Sequence, residues 1–292
     1  MTTNLPKKVD ELFTEKALSD KIIVPLDGSK LAEIALPYAE ELGVRTGSDI
    51  VLLSVIEYPD QTYRSYLQKT ADITKRHSSK YAVVPHSKEV DVYIITKEGN
   101  PAEAIIDYAG KWGNNLIVMA THGRSGIGRW TIGSVADKVV RAATDASIML
   151  IRGKKGHPDI RQKRLFKKAL VPLDGSILSE EIIPHIIQFG AKLDLELTLC
   201  QIMPTNGFDQ NNIEAYLQNI CRELEQQGIN TNPLVGIGSP ADQIIDLADD
   251  LAFDLVAMST RGQTNITPWS IGSVAQKVLL AGSTPLLLVK QN

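Results

Sequence analysis

Short runs of apolar residues alternate along this chain with longer stretches in which apolar residues return every three or four positions. Lys21-Ile-Ile-Val-Pro-Leu26, 49–56, 90–95, 115–120 and 147–151 are runs of the first kind. They suit strands covered on both faces. Between them, Ala32, Ala35, Leu36 and Ala39 share one helical face, as do Ala102, Ile105, Ile106 and Ala109, and 135–143 repeats the pattern. Asp27-Gly28 is a turn signal and Ser29 can cap the first helix, which Gly43 and Gly47 are expected to end. Asn100-Pro-Ala-Glu103 combines a cap, a proline at the first helical position and an acid able to reach back to the cap amide. Residues 58–86 are patterned less clearly: 66–80 reads as a helix and the rest as a loop. Strands alternating with helices predict a parallel sheet with right-handed crossovers.

The pattern then repeats. Val24-Pro-Leu-Asp-Gly-Ser29 returns as Val171-Pro-Leu-Asp-Gly-Ser176, and Asn100-Pro-Ala-Glu103 as Ser239-Pro-Ala-Asp242. Trp130-Thr-Ile-Gly-Ser-Val-Ala136 returns as Trp269-Ser-Ile-Gly-Ser-Val-Ala275. Three matches in one order, about 140 positions apart, mark the duplication of a whole domain. The second set of strands is expected at 169–173, 195–203, 231–237, 254–260 and 285–289. The division is a polar segment 1–20, a domain 21–152, a basic linker 153–168 and a second domain 169–292.

Composition narrows the function classes. The 292 residues suit two domains, 43% of them are apolar, and the net charge of -3 argues against nucleic acid as a partner. The basic run 153–168 has Phe166 as its one phenylalanine, tyrosine or tryptophan, too little aromatic interleaving for a nucleic-acid surface, and reads as a solvated linker. Cys200 and Cys221 make no disulfide framework or metal-ligand spacing. No apolar run has membrane-spanning length, and 1–20 lacks the apolar core of a secretory leader, so a cytoplasmic protein without a membrane partner is expected.

The chemistry concentrates at 119–136. An apolar strand there hands over to a loop with glycines at 123, 126 and 128, and then to Gly133-Ser134 at a helix start. The first amides of a helix lack intrahelical acceptors and favour an anion. If the first and fourth strands are neighbours, Asp27 faces this loop across the crevice where strand order reverses. Amides for phosphates and a carboxylate for a ribose hydroxyl or cation suit a nucleotide. The plainer reading of Asp27 is a turn residue bonded to its own backbone. His122, Arg124 and Arg129 can assist phosphates by charge. No Walker-type loop and no serine-histidine-aspartate set is present.

These motifs resemble those of the universal stress protein family, once per half. The family's nucleotide-binding pattern is glycine, two residues, glycine, nine residues, then glycine with serine or threonine. Gly123 and Gly133-Ser134 match it, with Ala120 in place of the first glycine. The resemblance implies two tandem flavodoxin-like or Rossmann-like α/β domains, each with a five-stranded parallel sheet in the order 3-2-1-4-5. It implies that Pro25, Leu26, Asp27 and Val55 surround base and ribose. It implies further that Ala120, His122, Gly123, Gly133, Ser134 and Val135 line the phosphates, with Met119, Arg124, Gly126, Arg129 and Ala136 beside them. The ligand implied is ATP, or AMP or ADP, with magnesium as a companion, and at most weak ATPase activity. The second half keeps Pro172, Leu173, Asp174, Ile202, Arg261, Gly262, Gly272, Ser273 and Val274 in matching places, but Ser259 replaces the first glycine and its loop carries Pro268. That site is either a second nucleotide site or purely structural. The apolar last strands invite pairing, and the family implies an intramolecular pseudo-dimer, a homodimer as the further option, and a signalling partner that listens to the nucleotide state. The rivals are a nucleotide-free interaction module, and an enzyme of the wider adenine-nucleotide superfamily, against which stands the lack of a Ser-Gly-Gly-x-Asp-Ser loop.

Overall fold

The computed structural model describes residues 21–56, 61–81, 89–111, 115–122, 132–143, 146–152, 164–203, 210–261 and 271–289. The first half contains β1 (Lys21–Leu26), α1 (Leu36–Thr46), β2 (Asp49–Val55), α2 (Gln61–Tyr81), β3 (Val92–Lys97), α3 (Pro101–Gly110), β4 (Asn115–Ala120), α4 (Ser134–Ala142) and β5 (Ala146–Ile151). The second contains β6 (Lys168–Pro172), α5 (Ile177–Glu180), α6 (Ile183–Leu193), β7 (Glu196–Met203), α7 (Gln210–Glu225), β8 (Thr231–Ile237), α8 (Pro240–Asp250), β9 (Leu255–Ser259), α9 (Ser273–Ala281) and β10 (Leu286–Val289). The strands form one ten-stranded sheet in the order β3-β2-β1-β4-β5-β10-β9-β6-β7-β8. Each half has the expected order 3-2-1-4-5 with parallel pairs throughout. The halves join where β10 pairs antiparallel with β5, Leu287 opposite Met149.

Each sheet face carries an apolar layer that runs through both halves. On one face Leu42, Leu52 and Leu67 join Leu193, Leu199 and Leu217; on the other Ile105, Ile117 and Val139 join Ile244, Val256 and Val278. The nearly continuous apolar strand runs of the sequence follow from this two-sided cover.

Local chemistry sets the helix ends. Asn100 Oδ1 accepts from the amides of Ala102 (3.1 Å) and Glu103 (3.4 Å), as a cap should. Ser29 Oγ accepts from Ala32 N (3.1 Å), but a 3-10 turn, Ala32–Ala35, precedes α1. Gly47 ends α1 in the left-handed conformation (φ 72°), and Asp194 fills the corresponding place after α6 (φ 50°). Gly43 does not end the helix. It lies inside α1, where a Cβ would stand 3.1 Å from Ser48 O and 3.3 Å from the Ile50 side chain. Its role is close packing of helix on strand. Helix α2 begins five residues earlier than its sequence pattern suggests, with Tyr63 packed against the apolar layer, and its buried face includes Thr70, Thr74 and Ser78 beside Leu67 and Ala71.

Beyond the strand seam, α1 packs on α6. Tyr38 meets Phe166 edge-on, with ring centroids 5.7 Å apart. Glu41 Oε2 accepts from Leu165 N at 2.7 Å, and Arg45 donates to Leu193 O at 3.4 Å. Arg164 donates to the carbonyls of Leu193 and Asp194 at the C-terminus of α6, the negative end of that helix. Charge alone reads 164–168 as part of a solvated linker. Here Leu165 and Phe166 are buried and Lys168 opens β6. Residues 153–163 of that run lie outside the described residues, as does 1–20.

Candidate functional site

Strand β1 lies between β2 and β4, with Ile22 opposite Leu116 and Ile23 opposite Ile117. This is the point of order reversal, and a cavity of about 370 Å³ opens there beyond the carboxyl ends of the strands. The end of β1 supplies Pro25, Leu26 and Asp27, and the end of β2 supplies Leu53, Val55 and Ile56. Met119, Ala120, Thr121 and His122 come from the end of β4, and Gly133, Ser134, Val135 and Ala136 from the start of α4. Pro101 and Ile105 of α3 close one wall, and Ala32 lies at the opposite margin. Eleven of the residues named from the sequence thus meet in one crevice. Gly123, Arg124, Gly126 and Arg129 lie outside the described residues. Sequence reasoning missed Ala32, Leu53, Ile56, Pro101, Ile105 and Thr121. The duplicated proline-alanine motif marked Pro101, but it signalled only a helix start.

The anion end is built by backbone. Gly133 N donates to Thr121 O at 2.8 Å, which ties the start of α4 to the end of β4. Its amide is therefore engaged. The first intrahelical bond is Asp137 N to Gly133 O, 2.9 Å. The amides of Ser134, Val135 and Ala136 precede it and lack an intrahelical acceptor. Gly133 has φ -61° and ψ 145°, open to any residue. Glycine is needed for space, since a Cβ would stand 3.1 Å from Thr121 O. Asp27 Oδ1 accepts from Ser29 N at 2.9 Å, so the turn reading of this residue holds for one carboxylate oxygen. His122 Nδ1 lies 3.0 Å from Thr121 Oγ1, while its buried Nε2 has no hydrogen-bond partner among the described residues.

The second half repeats this frame in a cavity of about 290 Å³. Gly272 N donates to Thr260 O (2.8 Å), Gln276 N donates to Gly272 O (2.8 Å), and the amides of Ser273, Val274 and Ala275 precede that bond. A Cβ on Gly272 would lie 3.3 Å from Thr260 O. Asp174 Oδ1 accepts from Ser176 N (3.0 Å) and Ser176 Oγ (2.5 Å). Pro172, Leu173, Ile202 and Ser259 also line the cavity, and Arg261 stands where His122 stands in the first half. Burial pushes the Glu181 carboxyl up, and the Arg261 guanidinium pulls it back. Ser259 Oγ donates to Arg261 O, turning the hydroxyl onto its own loop. Gly262 lies outside the described residues. Ser179, Gln201, Met203, Ile213, Pro240, Ile244, Met258 and Thr260 line this crevice without having been singled out from the sequence.

Both cysteines are buried free thiols, and burial pushes Cys200 up to about 12, so it is no thiolate nucleophile at neutral pH. Among the described residues, no group of three or more histidines, cysteines, aspartates or glutamates is placed to hold a metal ion. No helix among them is long and apolar enough to cross a membrane.

Comparison with known proteins adds three findings. The model of the "Universal stress protein family" matches twice, at residues 19–150 and 165–290. A curated universal stress protein of Methanocaldococcus jannaschii is 28% identical over 146 residues, which cover 44% of this chain and 85% of that protein. The crystal structure of a universal stress protein from Archaeoglobus fulgidus superposes with a TM-score of 0.67 at 17% identity, covering 94% of this chain and 97% of that one.

Proposed function

The chain belongs to the universal stress protein family, and on that premise we propose that its N-terminal crevice binds an adenine nucleotide. One observation carries the reading: Asp27 and the three leading amides of α4 share a single cavity at the strand-order reversal. The amides take the phosphates, where the helix dipole adds its positive end. The Asp27 carboxylate is of the chemical type that accepts from a ribose hydroxyl or coordinates a magnesium ion. Leu53, Val55, Ile105 and Met119 give a flat base an apolar slot. His122 Nε2, buried and unsatisfied, gains a partner when a phosphate oxygen or bridging water arrives. The adenine base and the triphosphate are what family membership suggests.

The described residues supply binding and orientation. On this reading the nucleotide is held and hydrolysed slowly or not at all. The role is a stress-response protein whose nucleotide state is read by a partner.

Ser134→Pro tests the placement. Proline suits the first helical position, and Gly133 already has the extended backbone that precedes a proline, so α4 is kept. The substitution deletes one phosphate-facing amide and puts a ring carbon in its place. Calorimetric titration with ATP and magnesium is expected to show at least about tenfold weaker binding, the scale of one charge-assisted hydrogen bond. Unchanged affinity refutes the placement, and a nucleotide-free protein that ignores ATP supports the interaction-module alternative.

A further inference from the structure

The two crevices differ on the side facing α2 or α7. In the first half, Tyr63 and Ser54 stand on that side, bonded to each other. The Tyr63 hydroxyl lies 2.8 Å from Ser54 Oγ, which in turn donates to Leu26 O at 3.0 Å. In the second half the equivalent positions hold Ile213 and Gln201. The equivalence is fixed twice. Tyr66 donates to Glu33 as Tyr216 donates to Glu180, which aligns α2 with α7, and Val55 matches Ile202 at the ends of β2 and β7. Ser54 and Tyr63 do not line the N-terminal crevice, whereas Gln201, Ile213, Met203 and Ser179 line the C-terminal one. The exchange puts Gln201 and Ile213 on the lining of the C-terminal crevice. Gln201 rests against the Asp174-Gly175 turn, its Nε2 3.7 Å from where a Cβ on Gly175 would stand. Its Oε1 is buried and has no hydrogen-bond partner among the described residues. A buried amide oxygen left unsatisfied is costly. A donor brought by a ligand removes that cost.

We infer that Gln201 is the specificity-determining residue of the C-terminal crevice, accepting a hydrogen bond from a bound nucleoside phosphate, so that the two halves select differently. The inference rests on reading the crevices as nucleoside-phosphate sites. The anion end is Ser273, Val274 and Ala275; Gln201, beside the Asp174-Gly175 turn, receives a donor from the other end of the ligand, either the exocyclic amine of the base or a ribose hydroxyl. In the first half the Ser54–Tyr63 pair satisfies itself and offers nothing there.

Methionines make the test site-resolved in the full chain: Met119 lines the N-terminal crevice, Met203 and Met258 the C-terminal one. With methyl-labelled methionine, NMR titration with ATP is expected to move all three signals. Gln201→Leu should weaken the Met203 and Met258 titration about fivefold, the worth of one hydrogen bond, and leave that of Met119 unchanged. Gln201→Ser, the first half's own choice, should do the same. Purine riboside triphosphate, which lacks the amine, and dideoxyadenosine triphosphate, which lacks the hydroxyls, identify the donor: the deficient analogue binds the wild-type C-terminal crevice as weakly as ATP binds the variant. Equal affinity in both variants, or equal affinity of ATP and both analogues, overturns the inference. Silent Met203 and Met258 signals with a responsive Met119 overturn it while leaving the N-terminal reading intact; silence of all three overturns both.

Discussion

Glu40 and Ile187 occupy the same turn of equivalent helices, α1 and α6, and the helices covering them differ to match. Under α2, Glu40 is 2% exposed and its neighbourhood holds the buried Thr70, Thr74 and Ser78. His77 Nδ1 lies 3.3 Å from Glu40 Oε2. Under α7, the corresponding positions are Ile187, Ile220 and Leu224, packed into the apolar layer. The backbone frame is shared, yet one half seals its outer helix with hydrocarbon and the other with a carboxyl and hydroxyls. Burial pushes the Glu40 carboxyl up to about 8, with Thr74 opposing. A duplicated scaffold therefore fixes where the crevices lie, while the layers around them remain free to take on separate duties.

The contact binding the halves is the place to break this comparison with the largest effect. Phe166→Ala removes a fully buried ring from the Tyr38 edge contact. Denaturant unfolding should show a loss of about 4 kcal/mol. A loss below about 1 kcal/mol would mean that the halves are stable without it. Next comes Glu40→Leu, which gives the N-terminal half the apolar choice of its twin. The folded protein holds the Glu40 proton more tightly than the unfolded chain does. Its contribution is thus present in full at low pH and is lost as pH rises toward about 8. The substitution should raise stability on the order of 3 kcal/mol at neutral pH. It should also flatten the decline between about pH 4.5 and 8, and an unaltered slope would place the titration elsewhere. The smallest effect lies at the two proline-led helices. Asn100→Ala removes a cap that accepts two amides and should cost about 1 kcal/mol. At Ser239, whose side chain caps no amide and bonds the exposed Asp242 carboxyl instead, the same change should cost less. Equal costs would show that cap geometry does not separate the halves.

The fold was readable because its signals are redundant. Apolar strand runs, the repeated motifs and the capped helix at Asn100 all point to one topology, and the apolar runs at 147–151 and 285–289 anticipated that the last strands would be covered. Asp27, Val55 and Ser134 to Ala136 could be placed because the family pattern fixes them relative to strand ends. The polar seam under α2 could not be read, since buried Thr70, Thr74 and Ser78 look in sequence like a solvated helix face. Gly43 was misread as a stop because a glycine that makes room for a neighbouring strand looks the same as one that ends a helix. Gln201 is illegible for a related reason: its meaning depends on Ile213, twelve residues away, which carries no hydroxyl to meet it as Tyr63 meets Ser54.

The antiparallel step from β5 to β10 reverses polarity midway across the sheet. Carboxyl ends of the first five strands point one way and those of the last five the other. The two mouths consequently open on opposite rims of the molecule. A visitor docked over one rim leaves its counterpart uncovered, and any message from rim to rim must cross the hydrogen-bonded hinge line that welds Leu287 to Met149.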